Sequence, residues 1–233
     1  MNSLKQTLGL TKQPIAVGFF DDDVPAGVEK WRGGAVPAGC SFWREAWDGR
    51  TFYTVPADHY NCAVGAYTHN IPQPIERETA LNDTIGFMIK CGYLQISEVP
   101  MIPVLPKTPR YVAYGPAEEG RFRADVVVIA ARPAQMMMVY EAALRSGVGN
   151  IATPALGRPG CAVLPMALNT GASALSFGCK RNRTFSGLPD EEMYLAIPGT
   201  KWDAVLEALL TIAAANATME AHYKQHEATV RGL

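Results

Sequence analysis

The sequence predicts an α/β fold, a mixed sheet covered by helices, with two pseudo-symmetric halves as a further expectation. Three observations carry this. "VVVIAA", residues 126–131, is a continuous apolar run suited to a strand covered on both faces, and Pro133 just after it opens a helix. "PIAVGFF" and "RTFYTV" are short apolar, aromatic and β-branched segments with charged or glycine-bearing flanks. "KWDAVLEALLTIAA" repeats apolar residues at helical spacing. Strands alternating with helices point to a largely covered sheet.

In chain order, residues 14–20 read as a buried strand, followed by the acidic loop "DDDVPAG". "SFWREAW" after Cys40 makes two helical turns that Gly49 stops, and "RTFYTV" is the next strand. In "IERETALNDTIGFMIKCGY", Ile75, Leu81, Ile85, Phe87, Met88 and Ile89 form one helical stripe ended by Gly92. The proline-rich segment up to residue 120 is a long loop or a boundary between halves, with "YVAYG" as a strand within it. The helix after Pro133 is expected to turn Met136, Met137, Tyr140, Ala143 and Leu144 inward. "NIATPAL" suits a short strand. In the last helix Thr200 and Asp203 suggest a capping box, and Val205, Leu206, Leu209, Leu210 and Ile212 mark the core face. The expected organisation is one domain over 1–233, with halves at 1–105 and 106–215 and a polar tail over 216–233. His222 and His226 lack a third donor and read as a solvated helix end.

Composition narrows the function. The chain has 233 residues, 48% of them hydrophobic, which is enough for a sizeable core without staples. A net charge of −1 leaves no footprint for nucleic acid or an anionic membrane surface. Arg132 and Pro133 interrupt the longest uncharged run, so no bilayer span is expected there. "MNSLKQTLGLTKQ" has no apolar leader core, and a cytoplasmic location is expected. There is no Gly-x-Gly-x-x-Gly turn, phosphate loop, Gly-x-Ser-x-Gly elbow or His-Glu-x-x-His.

Five cysteines remain, at 40, 62, 91, 161 and 179. Without an export signal a disulfide framework is not expected, and five small buried hydrophobes are the plain alternative. Yet Cys40 and Cys161 each follow a glycine and precede an apolar helical segment, while Cys62 and Cys179 each follow a strand-like run. The intervals are similar, 22 and 18 residues. This reads as a weak internal repeat, each half presenting one helix-start and one strand-end thiol. Helix N-termini favour thiolate, the form that binds metal or attacks an electrophile. Four thiolates suit zinc or an iron–sulfur cluster by count, but no Cys-x-x-Cys knuckle is present, and the wide spacing favours the cluster. Pro165 places the start of the second helix nearer Leu164, leaving Cys161 on the loop before it.

The pieces "GCSFWREA", "ADHYNCAVGAY", "ADVVVIAARPAQMM", "GRPGCAV" and "GCKRNRTFSGLPDEEMYLAIP" resemble the domain of unknown function 169 family over nearly the whole chain. That resemblance implies Cys40, Cys62, Cys161 and Cys179 as the cysteine set. Cys91 falls where relatives generally carry an apolar residue and is expected to be buried. Where relatives often carry two adjacent arginines after the last cysteine, this chain has Arg183 and then Thr184. The resemblance implies no reaction.

Other groups could serve such a site. Lys180, Arg181 and Arg183 could offset thiolate charge or hold an anion. His59 precedes Cys62 as a proton carrier or donor to sulfur, and Gln135 sits at the carboxyl end of a strand, where α/β sheets bind ligands. The leading expectation is a 4Fe-4S protein doing redox or Lewis-acid chemistry on a small anionic substrate, with His59 and Arg183 catalytic and Lys180, Arg181 and Gln135 binding substrate. A structural zinc site and a metal-free cysteine nucleophile remain open. The expected partners are the small anion or an electron-transfer protein, with self-association also open.

Overall fold

Residues 3–24, 26–149 and 159–232 are described by a computed structural model, with the side chains of Ala80 and Leu81 left aside. Burial sets the sheet. β5 (Val126–Ala131), buried at all six positions, lies near its middle beside β1 (Ile15–Phe20). β4 (Tyr111–Pro116), β3 (Phe52–Thr54) and the two-residue β2 (Glu29–Lys30) extend one side; β7 (Met193–Pro198) and β6 (Ala174–Ser176) extend the other. The order is β2-β3-β4-β1-β5-β7-β6, antiparallel except for the β2–β3 pair. The chain is therefore a mixed α/β protein, as the sequence predicts. Strands from both sides of residue 105 share this sheet, and β4 inserts between β1 and β3. "NIATPAL" lies outside the described residues.

The pleat sends alternate residues to two cores. Ile15, Val17, Tyr114, Val126, Val128 and Tyr194 face α2 (Ser41–Trp47) and α6 (Val163–Thr170), which bring Phe42, Trp43 and Leu164. Val127, Ile129, Leu195 and Ile197 face the opposite layer, built from α1 (Leu4–Leu8), α5 (Pro133–Arg145) and α7 (Trp202–Arg231). The short helix α3 (Ala63–Thr68) and the longer α4 (Ile75–Lys90) follow β3.

Several elements differ from expectation. α1 escaped the sequence reading, although Ser3 and Gln6 form its capping box. α5 buries Met136, Val139, Ala142 and Ala143, whereas Met137 and Leu144 are exposed. The face is rotated because Gln135 and Met136 lead it inward, so position 137 falls about 100° away. α4 does not bury its stripe. Ile75 and Phe87 stand in solvent, and Ile85 and Met88 are only half-buried. No capping box opens α7; a 3-10 turn over Gly199–Lys201 leads into it instead.

The expected polar tail is helical. α7 continues to Arg231 and ends on Gly232 in the left-handed conformation. Its exposed second half is rich in helix formers and carries Glu220–Lys224 and Glu227–Arg231 pairs at 2.5 and 2.6 Å. Gly199–Arg231 is long and apolar enough by composition to cross a membrane, which is weak evidence of one. Its first half buries Val205, Leu209 and Ile212 against the sheet.

Candidate functional site

The α2/α6 face of the sheet carries the site. Cys40 caps the N-terminus of α2. Cys62, expected at a strand end, instead caps α3, because a 3-10 turn over Pro56–His59 intervenes after β3. Its Sγ accepts from the Gly65 N–H at 3.3 Å, and a Cβ on Gly65 would stand 2.9 Å from that sulfur. The glycine is there to let sulfur and backbone meet. Cys161 lies in the 3-10 turn Gly160–Ala162 that leads into α6 at Val163, so Pro165 falls in the helix's first turn. Cys179 follows β6 and Gly178 and precedes the helical turn that becomes π-type over Asn182–Ser186.

These four turns aim at one place. Cys40, Cys62, Cys161 and Cys179 line a single cavity of about 30 Å³ with Trp43, Gly65, His69, Arg181 and Asn182. Local polar groups hold each sulfur. The Cys40 thiol donates to the Arg181 carbonyl at 3.7 Å, and Arg181 Nη1 approaches Cys62 Sγ at 3.7 Å. Thr68 Oγ1 lies 3.6 Å from Cys161 Sγ. Asn182 Oδ1 accepts from the Cys179 N–H at 3.0 Å and from its thiol at 3.2 Å. That carboxamide occupies the space where a Cβ on residue 160 would sit, which accounts for Gly160 before Cys161. Cys91 stands apart. It is exposed at the end of α4, contrary to the buried role expected of it, because α4 itself is not packed down.

Electrostatics couples the sulfurs. Burial pushes the Cys40 and Cys161 thiols up; nearby Cys62 and Cys179 push the same way. Cys40 and Cys161 therefore stay protonated at neutral pH, although Arg181 pulls the Cys40 thiol the other way.

Two histidines and a tyrosine back the cavity. His59 is buried, with Nε2 2.8 Å from Thr54 Oγ1. The Thr54 hydroxyl donates to the Val112 carbonyl, so His59 Nε2 carries the proton and its Nδ1 is bare. His69 Nδ1 donates to the Gly65 carbonyl at 2.7 Å, leaving Nε2 bare. Burial lowers the pKa of both, to about 4 for His69. The Tyr114 hydroxyl is also buried, and burial followed by Cys161, Cys62 and Cys40 raises its pKa. His59 Nδ1, His69 Nε2 and the Tyr114 hydroxyl have no hydrogen-bond partner among the described residues. Buried polar atoms without partners are uncommon, and here they flank the four thiols. His69, Thr68, Asn182 and Tyr114 were not foreseen. The "THN" at 68–70 carried no motif, and Tyr114 sat in an unremarked strand.

Other expected site residues are committed elsewhere. Arg183 was expected at the site, but Nη1 donates to the Pro189 carbonyl and Nη2 to Phe177 at 2.7 Å and Glu192 at 3.4 Å, while Asp190 pairs with it at 3.5 Å. Its terminal nitrogens clamp a loop rather than face the cavity. Gln135 lies on the opposite face of the sheet. Its Nε2 donates to the Leu8 and Gly9 carbonyls at 3.1 and 2.6 Å, and its Oε1 accepts from the Arg132 N–H at 3.0 Å, tying α1 to α5. Lys180 is exposed beside Cys179.

Among the described residues, no three His, Cys, Asp or Glu side chains are grouped to hold a metal ion. A tetrahedral thiolate site needs sulfurs about 3.8 Å apart, from a zinc–sulfur bond of about 2.3 Å.

The fold and site define a mixed α/β protein in which four cysteines, two buried and two partly buried, line one cavity. The chain belongs to the domain of unknown function 169 family, described as uncharacterised ArCR, whose model matches residues 3–208. No curated protein and no solved structure matches the chain.

Proposed function

We propose that this chain is an iron–sulfur protein in which Cys40, Cys62, Cys161 and Cys179 hold one cluster of the 4Fe-4S type, and that it works on a small anion. One observation carries the reading: four cysteines far apart in sequence line one cavity from four helix starts. β1, Cys40, α2, β3 and Cys62 run in the same order as β5, Cys161, α6, β6 and Cys179, with β2 interposed in the first series and α5 in the second.

The donor set fits the cofactor. The Cys40 and Cys161 thiols, disfavoured as free thiolates, would gain a reason to ionise with a polynuclear cation between the four sulfurs. Arg181 offsets part of the resulting negative charge, and the Gly65 N–H already points at Cys62. A cavity of about 30 Å³ has room for a water or two, so loading requires the four turns to part. The wide spacing in sequence and the absence of a Cys-x-x-Cys knuckle favour a cluster over zinc. Raised thiol pKa values at Cys40 and Cys161 argue against a metal-free nucleophile, which needs an accessible thiolate.

When bound, the cluster would supply an electron; Lewis-acid chemistry on the anion would need one iron left without its cysteine. The chain's residues do the rest. Arg181 attracts the anion, His69 Nε2 is a bare base in the cavity wall, and Trp43 and Val64 exclude water. A cytoplasmic setting, where thiols stay reduced, belongs to the same proposal. The test is oxygen-free reconstitution with ferrous iron and sulfide. The parent chain should take up both and become coloured, and single serine variants at the four positions should not. Uptake equal in all five proteins would remove the reading.

A further inference from the structure

The buried stripe of α7, Val205, Leu209 and Ile212, does not stop where the sheet does. The same alternation of four and three residues runs on through Asn216, Met219, Tyr223, His226 and Val230, a seam of coiled-coil spacing. Beyond Ile212 no side chain of α7 is buried, and Met219, Tyr223, His226 and Val230 are exposed. A helical stretch of this length is marginal in water by itself. Its two ion pairs line one edge of the seam, in the order Glu220, Lys224, Glu227, Arg231. Read backwards, that order is basic, acidic, basic, acidic. The edge therefore complements a reversed copy of itself and repels one running the same way. Sterics agree. A copy running the same way would bring its first turns onto Val205, Leu209 and Ile212, which this chain's own sheet already covers, whereas a reversed copy meets only the free half.

We propose that the seam from Asn216 to Val230 docks on the same seam of a second copy of this chain, antiparallel about a two-fold axis. Met219 then packs on Val230 of the partner subunit, and Tyr223 on His226 of the partner subunit. Along the edge, Glu220 faces Arg231 of the partner subunit and Lys224 faces Glu227 of the partner subunit. α7 belongs to the layer opposite α2 and α6, so the contact forms away from the cysteine cavity. The proposal is independent of what the cysteines hold.

Sedimentation velocity on the full chain, purified without oxygen, tests it. The parent should sediment as a dimer that gives way to monomer on dilution. A chain carrying Glu220→Lys and Glu227→Lys should be monomeric alone, as should one carrying Lys224→Glu and Arg231→Glu. Mixed, the two should form a dimer, which misfolded variants would not do. On a Cys91→Ser background, a short bismaleimide should join Met219→Cys chains to Val230→Cys chains. Neither should link to itself, because antiparallel copies of one such position lie about 16 Å apart. A parent that stays monomeric at every concentration, reversed-charge chains that dimerise as well alone as mixed, or Met219→Cys chains that link to themselves overturns the proposal. A monomeric parent that floats with phosphatidylcholine vesicles would assign the face to a membrane instead.

Discussion

Arg181 Nη1 lies 3.7 Å from Cys62 Sγ, although 119 residues separate the two in sequence. The Arg181 backbone carbonyl meanwhile accepts from the Cys40 thiol at 3.7 Å, so one residue touches two of the four sulfurs with opposite ends of its chemistry. A cation here stabilises the more negative, reduced state of anything the thiolates hold. Arg181→Gln should therefore lower the reduction potential, and Arg181→Lys should restore most of the difference. A redox titration of the three proteins checks this, and an unchanged potential in the glutamine variant counts against it.

Cys40→Ser and Cys179→Ser should each lower iron content and thermal stability together, because metal binding and folding are coupled at such a site. Cys91→Ser should change neither, since Cys91 is exposed on the end of α4. Iron analysis beside thermal melts distinguishes the sets. Equal loss in the Cys91 variant would mean that the wrong four have been chosen.

The buried histidines set an acid limit. His69 titrates at about 4 in the folded chain against 6.5 ordinarily, mainly because burial disfavours its charge, and His59 is shifted the same way, with His69 adding to its burial. Above pH 6.5 the groups are neutral folded or unfolded, so stability is level. As pH falls from 6.5 toward 4 the unfolded chain binds protons that the folded chain does not, and stability falls. For His69 alone the loss approaches about 3 kcal/mol at pH 4. Chemical denaturation across this range should show the slope, and His69→Gln should flatten it. A slope identical in the variant would place its origin elsewhere.

Two residues once expected at the site should prove structural. Gln135→Ala breaks the tie between α1 and α5, and Arg183→Gln releases the loop carbonyls of Phe177, Pro189 and Glu192. Each should cost about 1–3 kcal/mol, the usual penalty for buried groups left without partners. Neither should alter iron content. Urea denaturation and metal analysis measure the two effects separately.

What the sequence reveals follows from how local each cause is. β5 and α5 were legible because a strand covered on both faces needs an unbroken apolar run and Pro133 can only begin a helix. The Gly-Cys frame drew attention to Cys40 and Cys161, and its meaning is steric at Gly160: a side chain there would collide with Asn182. α4 was misread because its apolar residues carry the spacing of a core helix, and periodicity does not say whether anything covers the stripe. Gln135 was misread because the carboxyl end of a strand is a common place for ligands, and here α1, unseen in the sequence, occupies it. Arg183 looked like Arg181, two positions away. Only the π-type turn separates them, sending one guanidinium to the cysteines and the other to the loop. His69 had no signal, since its bare nitrogen results from a bond to the Gly65 carbonyl that exists only in the folded α3 turn.

The account rests most directly on what lies between the four sulfurs. An absorption spectrum with iron and sulfide analysis, on protein purified without oxygen, tests it in one preparation. A brown protein with broad absorbance at about 400 nm and equal iron and sulfide is the expected result. A colourless, folded chain free of iron and sulfide would contradict it.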